Sequence, residues 1–205
     1  ARTAPSTMIS DRVTGLILAG GRGSRMGGQD KGLQRVRGLP LVANMLRRLA
    51  PQVQEVVINA NRHLDAYQAF GPTIVPDVSG DFQGPLAGMM VGFPYCKTEW
   101  MMVVPCDVPD LPTDVVTRLV EAAEAAHAVA AMPCTTEADG RKQTHPVCLL
   151  LRGELSESLT LFMQSGGRKI DSWTTSLGAL TVPFADSKAF FNANTLADLR
   201  QLEQS

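Results

Sequence analysis

The chain has 205 residues, 44% hydrophobic and 19% charged, with a formal net charge of -1 and a pI near 6.3. A globule of this length buries roughly 70% of its extended-chain surface, so it needs no disulfide staples and disorder is not the default. The near-zero charge excludes an overall electrostatic footprint for nucleic acid, so any anion must be met by local groups.

Cys96, Cys106, Cys134 and Cys148 contain no C-x-x-C pair, and His63, His127 and His145 do not stand at ligand spacing. Reduced thiols are expected and zinc is not. The opening "ARTAPSTMIS" lacks the apolar core of a signal peptide, and no run approaches the ~18 apolar residues of a membrane span. The expected setting is cytoplasmic, with no membrane partner, and residues 1–12 are expected to form a flexible segment ahead of one domain over residues 13–205.

Val13 to Leu18 is an apolar run bounded by glycine, which predicts a buried strand feeding a loop. Pro40 to Leu49 predicts a helix, with Pro40 in its first turn and apolar residues 41, 42, 45, 46 and 49 on one face. "EVVIN" predicts a second strand, the stretch around Leu64 to Tyr67 a short helix, and "TIV" before Pro76 a third strand. "GPLAGMMVGF" predicts a helix entered from a glycine-proline turn, and "WMMVVPCD" a strand too apolar to be half exposed. Pro112 to His127 predicts the clearest helix, with Thr113 as N-cap and Asp114 in the first turn, and "AVAAMP" a further strand.

The polar "TTEADGRKQT" predicts a loop or hairpin tip, followed by a strand at "VCLLLR", a helix from Glu154 to Gln164 and a strand at "GALTVP". A closing helix is predicted from Thr195 to Glu203, where Thr195 and Asp198 have capping-box spacing. Repeated βα units with largely apolar strands predict an α/β fold: one doubly wound, mainly parallel sheet with helices on both faces.

The loop after the first strand, within "LILAGGRGSRMGGQDKGL", lies where open α/β sheets bind ligands. Gly20, Gly21 and Gly23 let the backbone approach an anion, and Arg22, Arg25 and Lys31 supply full positive charge. A polyphosphate is the expected guest. The loop is neither a P-loop, because Asp30 precedes Lys31 and Gly32 follows it, nor a dinucleotide fingerprint, because Met26 occupies the third glycine position.

The loop reads L-A-G-G-x-x-x-R-M-G, three residues, then Lys. With "NANRH" at Asn59 to His63, Asp77, "GPLAGM" at Gly84 to Met89, "PCD" at Pro105 to Asp107, "HP" at His145 and Pro146, and "NANT" at Asn192 to Thr195, the chain resembles the molybdenum cofactor guanylyltransferases from about Thr14 to about Leu202. The resemblance implies a Rossmann-like nucleotidyltransferase fold and transfer of GMP from GTP to molybdopterin, releasing pyrophosphate. It further implies that Leu18, Ala19, Gly20 and Gly21 cradle the nucleotide, that Arg25 and Lys31 hold its phosphates, that Asn59 and Asp77 belong to its pocket, and that Asp107 holds Mg²⁺. Asn192 and Asn194 would lie on the pterin side, and proteins that deliver the cofactor or chaperone the molybdoenzymes would be partners.

The reaction brings two anions together, and at ~4 Å two like unit charges repel by about 4 kcal/mol at an effective dielectric near 20, so fixed cations are needed there. Lys31, Arg25 and a metal on Asp107 are the catalytic candidates. Asp107 ends an apolar strand at the sheet edge of the glycine loop, and its hard oxygens suit Mg²⁺ beside phosphate. Asp77 and Asn59 read equally as strand-end turn residues, Asn192 and Asn194 as helix caps, "GPLAG" as a plain helix entry, and Asp110 as a helix-start residue. Cys106 reads as structural. Rival readings are a cytidylyltransferase of the same family using CTP, a sugar-phosphate or isoprenoid-precursor nucleotidyltransferase, and a nucleotide-binding regulatory module without catalysis.

Overall fold

The computed structural model describes residues 8–20, 28–78 and 84–205. Ten strands are described: β1 Val13–Leu18, β2 Arg35–Val36, β3 Leu39–Pro40, β4 Glu55–Asn59, β5 Thr73–Val75, β6 Trp100–Pro105, β7 Ala130–Thr136, β8 Lys142–Thr144, β9 Leu149–Arg152 and β10 Leu180–Pro183. The helices are α1 Leu41–Leu49, α2 Leu64–Gln68, α3 Pro85–Gly92, α4 Val115–Ala125, α5 Ser156–Gln164, α6 Ile170–Ser176 and α7 Leu196–Glu203. The main sheet runs β10-β7-β9-β6-β1-β4-β5, with β8 also on β7, and β2 and β3 form a separate small hairpin.

β1 is paired in parallel with both β4 and β6, β4 with β5, and β10 with β7. The chain goes from β1 outward through β4 and β5, then returns to the other flank of β1 as β6. That reversal opens a crevice at the carboxyl ends of β1, β4 and β6, where ligands bind in this class of sheet.

Side chains alternate across the sheet as the two-residue period of a strand requires. Val13, Ile17, Met102, Val104 and Leu150 join the core beneath α1 and α4, which adds Met45, Leu49, Val116 and Leu119. Leu16, Met101, Val103, Leu149 and Leu151 face the other way, with Met89 of α3, Leu159 and Met163 of α5, and Trp173 of α6. Both faces are therefore covered. Gly15 makes room for this packing, since a Cβ there would stand 2.9 Å from Leu49 Cδ2.

The sheet is mostly parallel, as expected, with β8 and β9 as its antiparallel strands: β9 runs antiparallel to both β6 and β7. The β7–β8 hairpin has already turned the chain around, and β9 continues in the direction of β8 along β7, the two interrupted by residues 145–148. An apolar run says nothing about direction. The helix predicted from Pro112 starts at Val115, and Asp114, not Thr113, stands at its N-cap, with no side-chain cap bond. Pro40 lies in β3, not in the first turn of α1. Helix α6 and the β2–β3 hairpin were not anticipated. Within the segment expected to be flexible, Ile9–Arg12 forms a 3-10 turn, with Ile9 against the core and Arg12 bonded to Glu99 and Glu124.

Among the described residues no helix is long and apolar enough to cross a membrane.

Candidate active site

The ends of four parallel strands are stitched together just beyond the sheet. Ala19 N donates to Asn59 O at 2.7 Å, Ala60 N to Val75 O at 3.2 Å and Cys106 N to Leu18 O at 3.1 Å. Residues 18–20, 59–61, 76–77 and 106–107 thus leave one edge together.

On the β4 side, buried Asn59 donates to Val75 O at 3.1 Å and to Asp77 Oδ1 at 2.7 Å. Asn61 donates to Asp77 Oδ2 at 3.0 Å and to Gly20 O at 3.0 Å, and its own oxygen accepts from Asp77 N at 2.7 Å. Each carboxylate oxygen of Asp77 therefore holds one amide and keeps a lone pair for another donor. Gly20 and Gly88 let this network close, since a Cβ on either would come within 2.9 Å of Asn59 Oδ1. A carboxylate held in this way, with a lone pair left on each oxygen, suits an edge that presents paired N–H donors. Asp77 and Asn59 thus belong to one network that ties the ends of β4 and β5 to Gly20.

On the β6 side, Lys31 Nζ donates to Asp107 Oδ2 at 2.9 Å and to Asn194 Oδ1 at 3.2 Å. The three come from the loop after β1, the end of β6 and the approach to α7. Ala193 N donates to Asp107 O at 2.9 Å, which fixes the "NANT" segment beside the aspartate. Asn192 lies in the same segment, with no side-chain hydrogen bond described. The capping box at Thr195 and Asp198 forms as expected, and Asp198 also accepts from Asn194 N at 2.9 Å, so the start of α7 already carries a carboxylate.

Asp107 is 5% exposed, yet its Oδ1 has no hydrogen-bond partner among the described residues. An orphaned carboxylate oxygen costs at least ~1–3 kcal/mol, which a cation would offset. Hard oxygen of this kind fits a divalent metal ion. Among the described residues no group of three or more His, Cys, Asp or Glu side chains could cage a metal alone. Asp110 is turned away, paired with Arg37 at 2.7 Å. Gly21 and Arg25, with Arg22 and Gly23, lie outside the described residues.

Burial, reinforced by Asp107, pushes the Cys106 thiol far up, which agrees with a structural and not a nucleophilic cysteine. His145 Nε2 lies 2.8 Å from Thr135 Oγ1 and its ring stacks on Phe190 at 4.7 Å. Burial holds its imidazole below the usual value of 6.5.

One residue beside the site was not anticipated. Asp30, 6% exposed, accepts from Gly32 N at 3.3 Å and from the buried Tyr67 hydroxyl, and faces His63 Nδ1 at 3.2 Å. Its sequence signal is slight: an aspartate between a glycine-rich loop and Lys31, followed by Gly32. Its side-chain partners Tyr67 and His63 lie more than thirty positions away.

Residues 15–178 match the model of the MobA-like NTP transferase domain. The chain belongs to that family. It is 53% identical over 197 residues to a molybdenum cofactor guanylyltransferase of Cupriavidus metallidurans, covering 96% of this chain and 97% of that one. A molybdenum cofactor guanylyltransferase of Acidovorax sp. is 55% identical over 93% of this chain and 95% of its own. Among solved structures, molybdopterin-guanine dinucleotide biosynthesis protein A from Archaeoglobus fulgidus superposes with a TM-score of 0.71 at 22% identity, over 93% of this chain and 97% of that one. That likeness bears on the fold, the mostly parallel sheet of the Rossmann-like nucleotidyltransferases.

Proposed function

We propose that the protein transfers GMP from GTP to molybdopterin, forming the guanine dinucleotide of the cofactor and releasing pyrophosphate. The observation that carries this reading is the meeting of Lys31, Asp107 and Asn194 at one end of a crevice whose other end holds Asp77 between two asparagines, in a chain more than half identical to named guanylyltransferases. The close relatives offer nothing for the CTP alternative, and a binding-only module has no need of the Asp107 cluster.

In this reading Leu18, Ala19, Gly20 and Gly21 cradle the nucleotide and Asp77, braced by Asn59 and Asn61, accepts from the guanine edge. Lys31 and Arg25 hold the phosphates. Asp107 gives Oδ2 to Lys31, and its Oδ1, without a hydrogen-bond partner among the described residues, would hold a divalent metal, Mg²⁺. The metal, when bound, supplies Lewis-acid charge at the transferred phosphate. Lys31, oriented by Asp107 and Asn194, presents its ammonium where two phosphates approach, and offsets their repulsion. Asn192 and Asn194 face the pterin side, so Asn194 stands at the junction of both substrates. A terminal phosphate oxygen is already a competent nucleophile, and no general base is assigned.

A single domain over residues 13–205, a cytoplasmic setting, and delivery and chaperone proteins as partners complete the proposal. Its test is the base. With molybdopterin and Mg²⁺ the protein should form the guanine dinucleotide from GTP and little from CTP, since sites built on polar pairing reach ~10⁴-fold discrimination. Asp77→Asn should erode that preference by setting an amide N–H₂ against the amide of Asn59 or Asn61. Efficient transfer from CTP by the unaltered protein overturns the guanylyl reading, and no transfer to the pterin from either nucleotide overturns the acceptor.

A further inference from the structure

Asp30 and Lys31 are consecutive, and their side chains part in opposite directions. Lys31 reaches Asp107 and Asn194, whereas Asp30 turns inward to Tyr67 and His63 of the segment that leads from β4 into α2. Asp30 is also the N-cap of the one-turn 3-10 helix that carries Lys31, accepting from Gly32 N. Gly32 is part of the device, because a Cβ there would collide with the Tyr67 hydroxyl. Tyr67 is wholly buried, and its hydroxyl is held protonated by burial and by Asp30, so it acts here as a donor.

We infer that Asp30 is a positioning residue for Lys31: its carboxylate, clamped by Tyr67, His63 and Gly32 N, fixes the turn from which the lysine reaches Asp107 and Asn194. The inference rests on the proposed role of Lys31. A lysine stem has four rotatable bonds, so where the ammonium stands depends on how firmly its backbone is held. A buried carboxylate with several donors holds a turn more tightly than a solvated cap does, and displacement of a charge-stabilising group by about 1 Å can cost on the order of 10²-fold in rate.

The test is a double-mutant cycle with Asp30→Asn and Lys31→Ala, each alone and combined, repeated with Tyr67→Phe in place of Asp30→Asn in case that variant folds poorly. Transfer from saturating GTP, binding of guanosine and the thermal midpoint are measured for every protein. Positioning predicts that Asp30→Asn and Tyr67→Phe lower kcat about tenfold or more when Lys31 is present and less than about twofold when it is alanine, with guanosine binding unchanged. Equal losses on both backgrounds, or no loss when Lys31 is present, overturn it. Weakened guanosine binding with normal kcat also overturns it, and makes Asp30 a support of the base-side loop. Lys31→Ala alone reports separately on the underlying reading: wild-type turnover in that variant removes the lysine from the chemistry and the inference with it.

Discussion

Lys31 is bonded to a carboxylate and an amide at once, 27% exposed at its side chain against 8% for Asp107. Replacing it by alanine should lower kcat on the order of 10²-fold, the scale seen when an electrostatic stabiliser is removed, while base-side binding of guanosine persists. Asp107→Ala should flatten the Mg²⁺ titration of activity and leave metal-free nucleotide binding measurable. An unchanged titration curve would remove Asp107 from metal binding. His145 makes a pH prediction. Its folded-state pKa lies below 6.5 because burial disfavours the imidazolium. The unfolded chain therefore binds the proton first, and stability falls as pH drops from about 6.5 towards the lower folded-state value. His145→Asn should reduce that slope in thermal midpoints taken from pH 7 to pH 5; an identical slope in both proteins would show that other groups govern it.

Helix α3, PLAGMMVG, is apolar around its whole circumference, and its small residues show how it is accommodated. Its burial is nearly complete on several sides, with Leu86, Ala87, Gly88, Met89 and Gly92 all inside. A Cβ on Gly88 would stand 2.6 Å from both Asn59 Oδ1 and Leu18 Cδ2, and one on Gly92 would stand 2.5 Å from Leu16 Cδ2. The helix thus packs by backbone against β1 and β4, close to the Asn59 side chain that bonds Asp77. Gly88→Ala should cost about 1–3 kcal/mol by overpacking and weaken GTP binding together with stability, because the displaced atom belongs to the amide that holds Asp77. Chemical denaturation and nucleotide titration on one preparation would check it. Retained GTP affinity in a destabilised variant would separate the helix from the pocket.

The whole molecule keeps its scaffold and its chemistry apart. The candidate site side chains gather beyond the carboxyl ends of β1, β4 and β6, whereas Arg12, Glu99, Glu124 and Arg152 form a network of ion pairs at the opposite end of β1 and β6. In the middle of the sheet, Leu150 is completely buried in the core beneath α1 and α4. Leu150→Ala should lose about 2–5 kcal/mol of stability, the range for a large-to-small change in a packed core. The kcat of the folded fraction at low temperature should stay near that of the unaltered protein. A parallel loss of kcat would mean that the strands transmit packing changes to the crevice.

The sequence by itself determined the periodic part of this protein. Largely apolar strands separated by helices are best buried as a covered sheet, and the separate motifs carry the family whatever their arrangement in space. It also supplied Lys31, Asp77 and Asp107 as the candidates for phosphate, base edge and metal in the proposed reaction, because few other residue types suit those partners. Strand direction lay beyond it. "VCLLLR" is equally apolar running either way, and the reversal comes from the hairpin before it. Helix α6 escaped because its apolar signal rests mainly on Trp173 in a polar, seven-residue stretch. Only the tertiary structure decided which letters meet: Asn194 with Lys31 across 163 positions, and Asp30 with Tyr67 across 37. Hydrogen bonds at such separations leave no period in the chain, since it is the strand order, with β1 between β4 and β6, that brings their ends to one edge.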